Sequence, residues 1–191
     1  MSSFTAFHGK KLLARGSAVE VALAAKHLLD EHSGADVLIF DDLSGRQIDF
    51  NLAGSCEDVA ARLTPKEEET QPKRAPGRPR LGVVAREVTL LPRQWDWLNG
   101  QPGGASATLR KLVDAARTAD APHEKVRRAK SAADAFMMAM LGDQPGYEDA
   151  ARALYAGDAE SFRRRTGQWP ADLRAHAERL AAPAFESRAG S

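Results

Sequence analysis

Residues 73–117, KRAPGRPRLGVVAREVTLLPRQWDWLNGQPGGASATLRKLVDAAR, alternate basic, proline-rich and glycine-rich punctuation with short apolar runs. Lys73, Arg74, Arg78 and Arg80 are interrupted by Pro76, Gly77 and Pro79, which excludes helix and central strand at the start of the stretch. The run from Val83 to Leu91 predicts a short strand. Pro92 suits the first turn of a helix whose apolar face carries Trp95 and Leu98, and Gly100 to Gly104 end that helix. Ser106 then stands where it can cap a second helix, with Leu109, Leu112, Val113 and Ala116 on one face. The predicted order is strand, short helix, glycine turn, longer helix.

A unit of that order is too small to bury its strand and two apolar helix faces alone, and it resembles a ribbon-helix-helix unit. The resemblance implies a homodimer whose paired strands enter a DNA major groove while the second helix offers its amino end, Ala105 to Thr108, to a phosphate. Carried onto this chain, the base-facing strand positions are Arg86, Val88 and Leu90, and Ser106, Thr108 and Arg110 lie at the phosphate-facing end. The dimer core would come from Val88, Leu90, Trp95, Leu98, Leu109, Leu112 and Val113. The guanidinium fork of Arg86 suits guanine. Glu87, Thr89 and Leu91 make a polar opposite face, so the strand reads either as a DNA-facing ribbon or as a purely structural strand. Gly77-Arg78-Pro79 resembles the core of an AT-hook, which implies Arg78 and Arg80 in an A·T-rich minor groove, with Lys73 and Arg74 adding charge.

Charge distribution supports this emphasis on the middle of the chain. The 191 residues carry a formal net charge of only +1, but residues 1–70 sum to −5, residues 71–130 to +8 and residues 131–191 to −2. A polyanion would therefore meet a locally basic segment. Cys56 is the single cysteine, which excludes an internal disulfide and points to a cytoplasmic setting. No apolar stretch reaches membrane-spanning length.

The flanking segments predict an α+β protein. Residues 1–63 read as a small α/β domain. Phe4 and Phe7 begin a strand, Lys11 to Ala14 follow past a Gly9 turn, and Ser17 caps a helix. The run Val37 to Phe40 and the alternating Ile48, Phe50 and Leu52 form a hairpin, and Ser55 opens a short helix. Asp36, Asp41, Asp42 and Asp49 read as turn carboxylates that solvate the hairpin tip. Residues 64–82 are a basic proline-rich linker and residues 83–119 the ribbon-helix-helix-like unit. Residues 120–182 are a helical domain, in which Asp120 and Pro122 start a helix along Val126, Ala129, Ala133, Phe136, Met137 and Met140. Three more helices follow, with Gly142, Gly157 and Gly167 as breaks. Residues 183–191 read as a disordered tail.

Taken together, GRPRLGVVAREVTLLPRQWDWLNGQPGGASATLRKLV, YEDAARALYAGDAESFRRRTGQWPADLR and VLIFDDLSGRQIDF resemble a bacterial family catalogued only as a domain of unknown function, across nearly the whole chain. That resemblance implies one architecture and no particular activity. No phosphate-cradling glycine loop, nucleophile elbow or zinc ligand set is present, so neither an enzyme, a cofactor nor a metal is expected. The expected function is DNA binding by a homodimer, as a transcriptional regulator or nucleoid-associated factor. The alternative is a protein-interaction or dimerisation module, antitoxin- or adaptor-like, that recruits a protein partner through its carboxy-terminal helices.

Overall fold

The computed structural model describes residues 3–64, 84 and 86–186. Four strands and seven helices follow in the order β1 (Phe4–His8), β2 (Lys11–Gly16), α1 (Ala18–Glu31), β3 (Val37–Asp41), β4 (Gln47–Ile48), α2 (Cys56–Leu63), α3 (Pro92–Asn99), α4 (Gly104–Leu141), α5 (Tyr147–Ala156), α6 (Ala159–Thr166) and α7 (Ala171–Glu186). The chain divides into two compact units, one made of residues 1–65 and 122–191, the other of residues 66–121.

The first unit is built on an antiparallel sheet in the order β2-β1-β3-β4. Side chains alternate across a strand, and here both faces are covered. Ala6 and Ile39 point to the face where Val21 and Ala25 of α1 are buried. Phe7 and Phe40 point the other way, into a larger core with Phe136, Met137, Leu154, Phe162 and Leu173 from the later helices. Double coverage explains why Val37 to Phe40 is a continuous apolar run. It also explains why residues 1–63 and 120–182, expected as separate domains, share one core.

The element starts are local. Gly9, at φ 57°, turns β1 into β2. Ser17 caps α1 through a capping box with Glu20: the Glu20 N–H donates to Ser17 Oγ at 3.3 Å, and the Ser17 N–H to Glu20 Oε2 at 2.8 Å. Ser55 and Asp58 repeat the device at α2. Gly157, at φ 70°, ends α5, and the Asp158 side chain caps α6. Trp169 donates its indole N–H to the Pro145 carbonyl at 3.0 Å, fixing the entry to α7.

Several expectations are corrected. β4 is two residues long, so Phe50 and Leu52 pack against the α1-side core without extending the strand. Residues 86–91 form no strand within the chain. Asp120 and Pro122 do not begin a new helix: α4 runs through Pro122 without a break, across a stretch, residues 111–123, that is exposed throughout. α7 likewise runs through Pro183 to Glu186, because burial of Ala184 and the Phe162–Phe185 ring contact at 5.4 Å outweigh one missing helical hydrogen bond. Of the expected tail, residues 187–191 lie outside the described residues.

Phe136 touches both the sheet and α7, with ring centroids 5.0 Å from Phe40, 5.6 Å from Phe7 and 4.3 Å from His176. Phe136→Ala is expected to destabilise the first unit by about 3–5 kcal/mol, read from its denaturation midpoint. A loss below about 1 kcal/mol would show that the sheet and helices do not share this core.

Candidate functional site

The segment expected to meet DNA lies in the unit of residues 66–121. Leu91 precedes α3, and its N–H donates to Gln94 Oε1 at 2.9 Å, while Pro92 occupies the first helical position, where an N–H has no acceptor. After Asn99 the chain turns through Gly103 at φ 90° and Gly104 at φ 73°, conformations that suit glycine. α4 therefore starts at Gly104, whose N–H donates to the Gln101 carbonyl at 2.9 Å. Ser106, expected as the cap, instead sits exposed in the first turn, and the paired glycines start the helix upstream of it.

Of the expected nucleic-acid contacts, Arg86 and Arg110 are exposed, as Ser106 is, whereas Thr108 is buried at 9% exposure and faces inward. Lys73, Arg74, Arg78 and Arg80 lie outside the described residues. Residues 86–117 hold five basic side chains, Arg86, Arg93, Arg110, Lys111 and Arg117, against three acidic ones. Among the described residues none of the five is held in a salt bridge. In the first unit Lys26, Lys125, Arg152, Arg165 and Arg179 are paired with carboxylates, whereas Lys11, Arg46 and Arg163 are in no salt bridge among the described residues.

The apolar positions expected to form a dimer core fall into three states. Leu98 is buried at 3% exposure. Leu90, Trp95 and Leu109 are half-buried. Val88, Leu112 and Val113 are exposed, as are Leu91 and Trp97. Trp95 and Trp97 thus behave as two positions on opposite sides of a short helix.

The first unit holds a second notable cluster, which sequence reading missed. Asp42, only 7% exposed, lies beside Thr5, His176 and Arg179. Thr5 Oγ1 donates to Asp42 Oδ1 at 2.8 Å, and Arg179 Nη2 lies 2.9 Å from Asp42 Oδ2, an ion-pair distance at an angle unsuited to a hydrogen bond. Arg179 Nη2 also lies 3.0 Å from His176 Nδ1. A guanidinium only donates, so Nδ1 must accept, which leaves the imidazole proton on Nε2, 3.7 Å from Asp42 Oδ1. His176 is wholly buried against the Phe7 and Phe136 rings. Its pKa is pushed down to about 4, by burial first and by the Arg179 charge second, against the opposing pull of Asp42. The Arg15 guanidinium is lowered as well, by partial burial and then by Arg179.

Asp42 is therefore a buried anchor and not a solvating turn carboxylate. The cluster resembles an acid-base set in composition, but its imidazole is sealed from solvent and already accepts from Arg179, so it serves as a polar clasp between α7 and the sheet. One signal in the sequence points to it: His176 shares a helical face with the apolar Leu173, Ala177 and Leu180. Among the described residues no three His, Cys, Asp or Glu side chains group closely enough to hold a metal ion, and no helix is long and apolar enough to cross a membrane.

The chain belongs to the bacterial family described as an uncharacterized protein conserved in bacteria (DUF2239), which matches residues 3–181. No curated protein and no solved structure matches it.

The clasp makes stability depend on pH. An imidazole titrates near 6.5 when unfolded and about 4 here, so between those values the unfolded chain binds more protons and stability falls as pH is lowered. The contribution is complete above about pH 6.5 and its loss by pH 4 is worth about 3 kcal/mol. Denaturation midpoints across that window should slope in the native chain and flatten in His176→Gln. NMR titration of the native imidazole should show it neutral at about pH 5; a protonated ring there would refute the assignment.

Proposed function

We propose that this member of the family is a homodimeric DNA-binding protein, acting through residues 83–117 and the adjacent basic arm, as a transcriptional regulator or nucleoid-associated factor. The observation that carries the reading is the coincidence of an uncovered apolar surface with unneutralised cations in one small unit. Val88, Leu91, Trp97, Leu112 and Val113 are each about half exposed, and Arg86, Arg93, Arg110, Lys111 and Arg117 have no salt bridge among the described residues. A unit that buries so little of its own apolar surface gains stability when a second copy covers it. In a ribbon-helix-helix-like arrangement that second copy would also pair the Val83–Leu91 segments as a ribbon.

The electrostatics favour a polyanion over a protein partner. Exposed cations without carboxylate partners release counterions from DNA when they bind, and the arm supplies Lys73, Arg74, Arg78 and Arg80 besides. Replacing the arm arginines Arg78 and Arg80 by alanine would weaken binding most on A·T-rich duplexes if the arm enters the minor groove.

Two measurements on the full chain test this. Sedimentation should give a dimer, and Val113→Glu should shift it to monomer by burying an unpaired charge in the interface. Fluorescence anisotropy with labelled duplexes should show binding that weakens steeply with salt, with Arg86→Ala plus Arg110→Ala reducing the log–log slope by about two. A dimer with no affinity for any duplex at low salt would replace this reading with the dimerisation-module alternative.

A further inference from the structure

Two guanidiniums meet at the edge of the polar clasp, and a single carboxylate faces them. Arg15 on β2 stands opposite Thr5 on β1, and cross-strand partners point to the same face of a sheet. Arg179 reaches the same threonine from α7, with Nη2 3.4 Å from Thr5 Oγ1. Arg15 and Arg179 are therefore brought together across one side chain, in the unit that holds both. Like charges so placed repel. The Arg15 guanidinium is lowered by partial burial first and by the Arg179 charge second.

The other carboxylates nearby are engaged elsewhere. Asp42 is paired with Arg179, Oδ2 to Nη2 at 2.9 Å. Asp41, its neighbour in the chain, is turned to its own loop, where it accepts from the Leu43 N–H at 3.1 Å and from Ser44 Oγ at 2.7 Å. Glu20, the acidic residue closest to Arg15 along the chain, is held by Ser17 in the capping box of α1. Asp172 of α7 accepts from the Leu12 N–H at 3.0 Å, further along β2. Arg15 itself is exposed and has no hydrogen bond or salt bridge among the described residues. The cluster thus sets the Arg15 and Arg179 charges against Asp42 alone, beside a neutral His176, and the uncompensated cation lies at its solvent-facing edge. Arg179 is unsaturated as well: its bonds run through Nη2, and its Nε has no partner among the described residues.

We propose that Arg15 and Arg179 form a binding site for the oxyanion group of a small ligand, carboxylate or phosphate, at the solvent edge of the clasp. A guanidinium fork matches either group, and one bound negative charge neutralises the excess and relieves the repulsion between the two cations. Asp42 holds Arg179 in place, so one guanidinium is oriented before the ligand arrives, and Arg15, free in solvent, closes on it. The site is independent of what residues 83–117 bind.

The full-length chain is titrated with sodium phosphate and, separately, with sodium acetate, chloride balancing the ionic strength, while NMR follows the Arg15 and Arg179 Nε–H signals and the His176 imidazole. The native chain should show saturable shifts of both guanidinium signals with a midpoint in the millimolar range, and the tighter probe identifies the ligand group as phosphate or carboxylate. Burial holds the His176 titration midpoint low, and the Arg179 and Arg15 charges hold it lower, so bound phosphate should raise it. Arg15→Gln should weaken binding on the order of 10-fold and melt no lower than the native chain, since it removes a like charge. Arg15→Lys, which keeps the charge and loses the fork, should fall between the two; should Arg15→Gln melt early, the comparison of Arg15→Lys with the native chain decides. Unsaturated shifts, equal affinity in native and variant chains, or a His176 midpoint that phosphate leaves unchanged would overturn the site.

Discussion

Phe7, Phe40, Phe136 and His176 meet with centroid separations between 4.3 and 6.2 Å, most of them edge to face, and this junction is what the first unit is assembled around. Each ring comes from a different element: β1, β3, α4 and α7. The sheet alone could cover one face with α1 and would leave the Phe7 and Phe40 face bare. Helices drawn from the far end of the chain close that face, so the first sixty residues and the last sixty stabilise one another. Aromatic rings suit the task because each buries a large area and adds a directional edge-to-face preference to burial.

At the edge of that junction sits the costliest group in the unit. Burying a carboxylate is unfavourable unless it is paired and hydrogen-bonded. Asp42 has both Thr5 and Arg179 beside it, and His176 is held neutral first by its burial and then by the Arg179 charge beside its accepting Nδ1. The charged pair and the imidazole with its fixed tautomer join α7 to the end of β3.

The two units follow opposite logic. In the first, most apolar side chains are inside, although Leu43 and Met138 are exposed, and several cations are paired with carboxylates. In the second, large apolar side chains and cations are both uncovered. Such a surface leaves Trp97 and Val113 facing water, a poor partner for either, beside five exposed arginine and lysine heads. A second chain and a polyanion would satisfy the two demands separately, which is why the unit's function is read from what it leaves exposed.

Much of the local structure was legible in the residues themselves. Ser17, Ser55 and Asp158 cap helices, Gly9 and Gly157 turn the chain, and Pro92 opens α3, because capping and turn preferences depend only on near neighbours. The α+β class and the apolar stripe of Ala129, Ala133, Phe136 and Met137 were likewise determined by periodicity, and the uneven charge by simple position. Other features needed the tertiary structure: the continuity of α4 through Pro122, the burial of Thr108, the conversion of Asp42 from a turn residue into an anchor, and the union of both chain ends in one core. Arg179 and Thr5 stand 174 positions apart, and no local preference reports on a partner at that distance. What a side chain prefers is written in its neighbours along the chain, whereas what it touches is decided by which distant surfaces find each other when the apolar faces leave water.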